Sequence, residues 1–316
     1  MKTLIFGVTG QDGALLSKLL IEKNYEVFGV SRNIKESNKS NLEKLAISED
    51  CHVFEFDQKN FSEVKKYIMN IRPDEIYFLA GQSSVSESFI NPKETFDSIN
   101  FGLLNILEAI RELNLSCKIY NACSSECFGD TSNKKADENY PFNPLSPYAA
   151  AKISSFNMAK VYRASFDIFV SNGILYNHES ILRPEKFVTQ KIIKSVKRIF
   201  NGSTEKLSLG RIDVKRDWGW APEYVEAMWR MLQYENSEDF VIATGESNSL
   251  EDFVRIAFSI KDLNWKDHVT YDDTNFNRPS ELLFSCGNPT KAENLLGWKA
   301  KNKMKEVIKS MIEETI

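Results

Sequence analysis

The sequence predicts an α/β fold: a Rossmann-type doubly wound parallel sheet with a smaller, mostly C-terminal α/β lobe. Three observations lead there. Short apolar runs alternate with amphipathic helical stretches through the first half, the first run ends in a glycine-rich turn, and the alternation fades after about residue 170. Apolar runs of strand length separated by helices mark strands buried on both faces of a parallel sheet. Right-handed crossovers then wind such a sheet in both directions.

Residues 3–8 form the first run, and 14–23 follow with Leu15, Leu16, Leu19 and Leu20 at helical spacing. Strands are expected at 25–30, 51–56, 75–80 and 118–122, and helices at 61–71 and 100–113. Beyond residue 170 the pattern gives a helix plus irregular chain over 181–213, then a loop and amphipathic helix over 217–233. A short strand at 240–244, the stretch 250–260, a proline-containing stretch at 277–280 and a C-terminal helix close the sequence. Residues 1–170 are expected to form the first domain, with 215–245 returning to it. Residues 171–214 and 246–316 would form the second lobe.

Composition excludes several classes of function. Hydrophobic residues at 42% and charged residues at 27% are an ordinary globular mix. A formal net charge of −4 argues against a general nucleic-acid binder, while leaving room for a local basic pocket. The five cysteines (Cys51, Cys117, Cys123, Cys127, Cys286) are scattered and odd in number, so reduced, mostly buried thiols are expected. With only His52, His178 and His268 beside them, no metal site is expected. There is no cationic leader and no apolar run approaching about 20 residues, so a cytoplasmic protein without a membrane span is expected.

The chemistry begins at Gly7-Val8-Thr9-Gly10-Gln11-Asp12-Gly13, between the first strand and the first helix. Glycine there permits the sharp turn and lets a pyrophosphate approach main-chain N–H groups at the positive end of a helix dipole. Glycine trios also serve plain tight turns, but this position favours a dinucleotide. At the end of the second strand stand Ser31 and Arg32, where NAD-selective folds usually carry an acid. An arginine suits a 2′-phosphate, so NADP is expected ahead of NAD.

Tyr148 and Lys152, four apart after Ser146-Pro147, would share one helix face. An ammonium and a nicotinamide cation beside the phenol would lower its pKa and make it a base for a hydroxyl proton. Ser124-Ser125-Glu126 follow the fifth strand, at the carboxyl ends where ligands bind in doubly wound sheets. Ser124 can hydrogen-bond the reacting oxygen. Glu126 is either a base for a second proton or a carboxylate favouring a helix N-terminus.

These residues resemble the GDP-mannose 4,6-dehydratase family, of the extended short-chain dehydrogenase/reductase type. The likeness extends through Leu79-Ala80-Gly81-Gln82-Ser83, Asn177-His178-Glu179-Ser180, Arg216-Asp217-Trp218-Gly219, Arg278-Pro279-Ser280-Glu281 and Asn288-Pro289-Thr290-Lys291-Ala292, nearly the whole chain. The resemblance implies a GDP-sugar substrate, bound NADP and a catalytic set of Ser124, Glu126, Tyr148 and Lys152. It assigns to the cofactor Gly7, Thr9, Gly10, Gln11, Asp12, Gly13, Arg32, Asp57, Leu79, Ala80, Gln82 and His178, together with Tyr148 and Lys152. Ser83, Asn177, Val188, Lys191, Arg216, Arg278 and Glu281 would hold the substrate.

Departures from the family pattern are Ser124 where threonine is common, Cys127-Phe128, Gly81, the loop after Arg32, and residues 181–186 near the sugar. The altered loop makes a homodimer through the helices around residues 103–113 and 148–162 the safer expectation than a tetramer. An epimerase or 4-keto reductase would share the tyrosine, lysine and glycines, and Glu126 separates those from a dehydratase. A non-catalytic dinucleotide sensor would have little use for Ser124, Tyr148 and Lys152 together.

Overall fold

The computed structural model describes residues 1–33, 39–271 and 281–314. In chain order these carry β1 (Lys2–Phe6), α1 (Gln11–Glu22), β2 (Glu26–Ser31), α2 (Lys39–Lys44), β3 (Cys51–Glu55), α3 (Phe61–Ile71), β4 (Glu75–Phe78), α4 (Val85–Ile90), α5 (Pro92–Leu113), β5 (Lys118–Ser124), α6 (Pro147–Phe166), β6 (Val170–Leu175) and β7 (Asn177–Glu179). There follow α7 (Val188–Phe200), β8 (Leu207–Leu209), β9 (Lys215–Arg216), β10 (Trp218–Trp220), α8 (Ala221–Gln233), β11 (Phe240–Ile242), β12 (Asn248–Ser249), α9 (Leu250–Ser259), β13 (Val269–Tyr271), α10 (Thr290–Leu296) and α11 (Met304–Glu313).

A seven-stranded parallel sheet runs in the order β11-β6-β5-β4-β1-β2-β3. The fold is therefore the doubly wound α/β architecture. Its order reverses beside β1, which opens a crevice at the carboxyl ends of β1 and β4. Alternate side chains of each strand feed opposite cores. Leu4 and Phe6 join Ile76, Phe78 and Ile119 against α3 and α5, whereas Ile5, Tyr77 and Tyr120 join α1 and α8. Both faces are buried, which is why these strands read as unbroken apolar runs.

Local signals set the helix ends. The Asn60 side chain accepts from Glu63 N–H to start α3, and Arg72 in the left-handed region ends it. α5 begins at Pro92, a turn and more before the expected residue 100, because proline is well placed in a first helical turn.

β6 was not expected as a strand. Its sequence, Val-Ser-Asn-Gly-Ile-Leu, breaks the apolar run, yet all six residues are buried. Asn172 resolves the conflict by bonding Asn121 Oδ1–Nδ2 at 2.8 Å and Asp239 Nδ2–Oδ1 at 2.8 Å. Asp239 in turn pairs with Arg163. A hydrogen-bonded polar chain thus does what apolar packing does elsewhere in the sheet.

A separate core lies under α7, α9 and α11, with Trp218, Phe253, Phe258 and Met311 at its centre. Residues 281–288 run between the two cores as a strap, bridging Lys215 to Phe284 and Ala136 to Gly287. Among the described residues no helix is long and apolar enough to cross a membrane, and no group of three or more His, Cys, Asp or Glu could hold a metal ion. All five cysteines are free and buried.

Candidate active site

The turn after β1 is built for close approach. Gly7 has φ of +88°, and a Cβ there would stand 3.0 Å from Ala80 N, so Leu79–Ala80 pass directly over the turn. Gly10 is the N-cap of α1, and no side chain caps the helix. The first N–H groups of α1 are therefore open to a ligand at the positive end of its dipole. A pyrophosphate fits this cradle on shape and charge.

Gln11 and Asp12 turn the other way, into the protein. Gln11 Nε2 donates to His178 O (3.2 Å), and Ser180 Oγ donates to Gln11 Oε1 (2.9 Å). Asp12 Oδ2 lies 2.9 Å from His178 Nε2, whose Nδ1 lies 2.7 Å from Tyr176 O. Burial alone would raise the Asp12 carboxyl. The His178 charge and hydrogen bond outweigh it and hold the group at about 2. Burial likewise works against the imidazolium, but Asp12 outweighs it and raises His178 above its ordinary value. The ring stacks on Tyr224 at 4.6 Å. Both ring nitrogens are engaged within the protein, leaving the ring's edge and face to meet a ligand.

At the end of β2, Arg32 Nη1 donates to Glu94 Oε1 (2.8 Å), and Lys59 Nζ donates to Glu94 Oε2 (2.8 Å). Asp57 Oδ2 lies 3.6 Å from the same ammonium. The hydrogen bond donated by Lys59 lowers the Glu94 carboxyl and raises the Lys59 ammonium. Thr9 and Ser31 hydroxyls face each other at 3.5 Å. The amide of Gln82 is spent on Ser84 O (2.7 Å) and Thr95 Oγ1 (3.1 Å), and Ser83 beside it is exposed.

The side chains expected to react gather at the end of β5. Ser146 caps α6 by accepting from Ala149 N–H (3.1 Å), and Pro147 opens the helix, so the register of Tyr148 and Lys152 is fixed from the first turn. Tyr148 and Lys152 are both buried. Lys152 Nζ stands 5.9 Å from the Tyr148 ring centroid and donates to Ala122 O at 2.7 Å. The Ser124 hydroxyl lies close enough to the Tyr148 phenol to favour its ionised form, and Glu126 is near enough for its charge to act on the same phenol. Ser124 Oγ also accepts from Glu126 N–H at 3.3 Å, fixing the carboxylate's own residue.

The other protein groups around the phenol act against the lowering expected from the Lys152 ammonium and a nicotinamide cation together. Burial pushes Tyr148 well above its usual value, and Glu126 adds to the rise, while the Ser124 hydroxyl pulls it partly back. Burial also weakens the Lys152 ammonium. The protein's own groups thus keep Tyr148 a neutral phenol.

Beyond β6, Arg216 is buried and pairs through Nη2 with Glu281 Oε1 at 3.3 Å. Lys191 donates from Nζ to Ser208 O at 2.7 Å, and burial lowers its pKa. Asn177 is half-buried at the start of β7, and Val188 is exposed at the start of α7. Arg278 lies outside the described residues.

Sequence reasoning missed two charged residues. Glu94 lies ahead of the helix expected from residue 100 and carries no local signal. Arg183 lay in the stretch set aside as a departure. Its guanidinium stacks 3.7 Å over Phe187, lies 3.4 Å from Glu179, and acts electrostatically on both Asp12 and His178.

A profile of the family described as GDP-mannose 4,6 dehydratase matches residues 4–311. The chain is 41% identical to GDP-mannose 4,6 dehydratase 1 of Arabidopsis thaliana, over 99% of this chain and 89% of that one. It is 38% identical to the Homo sapiens GDP-mannose 4,6 dehydratase (99% and 91%) and 36% identical to that of Vibrio cholerae (100% and 94%). Among solved structures, a dTDP-glucose 4,6-dehydratase from Bacillus anthracis in complex with NAD superposes with a TM-score of 0.86 at 16% identity, covering 99% and 96%. A UDP-glucose 4-epimerase from Thermotoga maritima gives 0.87 at 20% identity, covering 99% and 98%. Likeness at that identity shares the fold.

Proposed function

This chain belongs to the GDP-mannose 4,6-dehydratase family, and from that premise we propose that it converts GDP-mannose to its 4-keto-6-deoxy form with loss of water, using bound NADP. The observation that carries the reading is the meeting of Ser124, Glu126, Tyr148 and Lys152 at one strand end, with Ser124 and Glu126 both close enough to act on the phenol.

When bound, the nicotinamide supplies the acceptor that oxidises carbon 4 of the hexose and the hydride that returns to carbon 6. Tyr148 takes the proton of the carbon 4 hydroxyl, and Ser124 hydrogen-bonds the same oxygen. Burial holds the phenol neutral until positive charge stands beside it, so the base forms only in the loaded site. Lys152, steadied on Ala122 O, contributes its ammonium to that charge. The new ketone acidifies the carbon 5 proton, and Glu126 removes it. That proton and the carbon 6 hydroxyl depart as water, and as hydride returns to carbon 6 a solvent-derived proton is restored to carbon 5.

The glycine turn and the start of α1 would cradle the cofactor's pyrophosphate, with Asp57, Leu79, Ala80, Gln82 and His178 lining the rest and Arg32 at the 2′-phosphate. Arg216 and Lys191 suit the substrate's diphosphate, since a guanidinium binds phosphate oxygens in pairs. Ser83, Asn177, Val188, Glu281 and Arg278 complete that side. The division of labour is a cofactor domain over 1–170 with 215–245, and a substrate lobe over 171–214 and 246–316. α5 and α6 pack side by side and expose Phe101, Val161 and Phe166, a face suited to a homodimer. The site's place is the cytoplasm.

The test is incubation with GDP-mannose in deuterated water, followed by nuclear magnetic resonance. A 4-keto-6-deoxy product with deuterium at carbon 5, and no net change in nicotinamide absorbance, supports the reading. An intact carbon 6 hydroxyl with inverted carbon 4 makes the protein an epimerase. Product that appears only as NADPH is consumed makes it a reductase.

A further inference from the structure

The segment that carries Glu126 past the end of β5 turns at Gly129, where φ is +64° and a Cβ would overlap the Asn143 carbonyl oxygen. The next residue is Asp130, and both of its oxygens accept from main-chain N–H groups. Oδ1 accepts from Ser132 N at 2.8 Å, closing a turn in which Ser132 and Asn133 take φ of +48° and +64°. Oδ2 reaches out of that turn. It accepts from Leu283 N at 2.9 Å and Phe284 N at 3.1 Å, 153 and 154 residues away. A local Asx turn explains the first oxygen and has no use for the second.

The two amides held by Oδ2 lie just past Glu281, whose carboxylate pairs with the buried Arg216. The far end of the strap is fastened independently. Ser285 N donates to Lys215 O (3.1 Å), Cys286 O accepts from Ala136 N (3.0 Å) and the Tyr176 hydroxyl (3.1 Å), and Gly287 N donates to Asp217 Oδ2 (3.3 Å). At the Glu281 end, Leu283 O accepts from Lys215 N at 2.8 Å and Phe284 O from Thr131 N at a longer 3.4 Å. The N–H groups of both residues go to Asp130.

We propose that Asp130 is a positioning residue for substrate binding: it holds the Glu281 end of the strap against the segment carrying Glu126, so that Glu281 and Arg216 are set before the nucleotide arrives. The proposal rests on the reading that these two side chains face the nucleotide. A carboxylate suits the task because three N–H groups point at its two oxygens and an ionised carboxyl only accepts. Hydrogen bonds to an ionised oxygen are also the stronger kind. Asp130→Asn turns an NH2 against either Ser132 N–H or the strap, and Asp130→Ser can close the turn but not reach the strap. Residues 285–288 keep their own fastenings in either variant, so only the Glu281 end is freed. Ordering that end then falls to the binding step, a cost that enters KM and leaves kcat alone.

The experiment compares wild type, Asp130→Ser, Asp130→Asn and Glu281→Gln as full chains. It measures KM and kcat for GDP-mannose, and the binding of GDP and of NADP⁺ by isothermal calorimetry. Both Asp130 variants are expected to raise KM and weaken GDP about five- to twentyfold, the scale of a lost hydrogen bond to a charged group, with kcat and NADP⁺ affinity within about twofold of wild type. A merely structural role would lower kcat and NADP⁺ affinity as well, or lower kcat with KM unchanged, and either result overturns the proposal. Glu281→Gln separates the proposal from the reading beneath it. If it weakens GDP while both Asp130 variants bind GDP as wild type does, the nucleotide reading stands and the role of Asp130 falls. If Glu281→Gln leaves GDP binding unchanged, the strap does not hold the nucleotide and the proposal falls with the reading.

Discussion

Asp12 and His178 lie 166 residues apart in sequence and 2.9 Å apart in space, Oδ2 to Nε2. The contact ties the glycine turn to the segment leaving β6, so the cofactor side and the second lobe share one fastening. His178 Nδ1 faces the Tyr176 carbonyl at 2.7 Å, so both ring nitrogens face acceptors. A neutral imidazole donates once, and only the imidazolium satisfies both.

The fastening therefore depends on pH. His178 is raised above its ordinary value, so its contribution is complete below about 6.5 and fades as pH rises through the higher folded value. Asp12 sits at about 2, so its contribution is present above about 4 and is lost as pH falls toward 2. Asp12→Asn is expected to cost roughly 1–3 kcal/mol at pH 5.5, the range for a buried hydrogen bond to a charged group, and distinctly less at pH 9. Urea unfolding at the two pH values measures it. An equal deficit at both would show that the pair carries no ionic contribution.

Asp217 gives a pH slope opposite to that of the Asp12 carboxyl. It is fully buried, and its carboxylate accepts from Thr244 N (2.9 Å), Thr244 Oγ1 (2.6 Å), Gly245 N (3.0 Å) and Gly287 N (3.3 Å). Burial pushes its pKa to about 6, although all four hydrogen bonds favour the ionised form. The folded state therefore holds a proton between about 4 and 6 that the unfolded chain has released, and stability falls as pH rises through that window. The displacement corresponds to roughly 3 kcal/mol. Asp217→Asn removes this titration, so its melting temperature is expected to vary less than wild type's between pH 4 and 6. The same slope in the variant would assign the pH response to other groups.

How much of this was legible in the sequence follows from physical reach. β1, α3 and β5 were readable because burial on both faces or a helical stripe leaves its period in the chain. β6 was not, because Ser171 and Asn172 are buried by partners at residues 121, 238 and 239 that no local window contains. The four side chains proposed to react were picked out by motif order and spacing. The hold of Glu94 on Arg32 was not, since it joins positions 62 apart. The raised phenol was hidden for the same reason: spacing gives the lysine's position on a helix face, whereas burial is a property of the assembled core.

The glycine turn offers a test by size alone. A Cβ on Gly13 would overlap the Gly7 carbonyl oxygen and lie 2.7 Å from Val8 Cα, both backbone, so no side chain can move aside. At Gly10 the nearest atom would be the Gly7 oxygen at 3.3 Å, which a small shift relieves. Gly13→Ala is expected to lower stability by about 1–3 kcal/mol, the usual cost of overpacking, and to weaken dinucleotide binding at least about tenfold as the turn opens. Gly10→Ala should keep most of its stability. Chemical denaturation with dinucleotide titration checks the pair, and equal losses in the two variants would rule out the packing explanation.

Glu126 is the residue on which the dehydratase reading turns. Its own backbone N–H is fixed by Ser124 Oγ at 3.3 Å, and its charge acts on the Tyr148 phenol. Glu126→Gln keeps size and hydrogen bonding but has no basic oxygen, so oxidation at carbon 4 can proceed while proton removal at carbon 5 cannot. The expected outcome is near-normal GDP-mannose binding and a fall in turnover of about 10²- to 10⁴-fold, the usual contribution of a positioned general base. A reduced nicotinamide signal should build up and persist in single-turnover absorbance at 340 nm, since hydride cannot return to a carbon 6 that still bears its hydroxyl. Exchange of deuterium into carbon 5 should stop in the same variant. Normal turnover, or undiminished exchange, would remove Glu126 from the proton transfer and leave an epimerase or reductase as the better account of the same site.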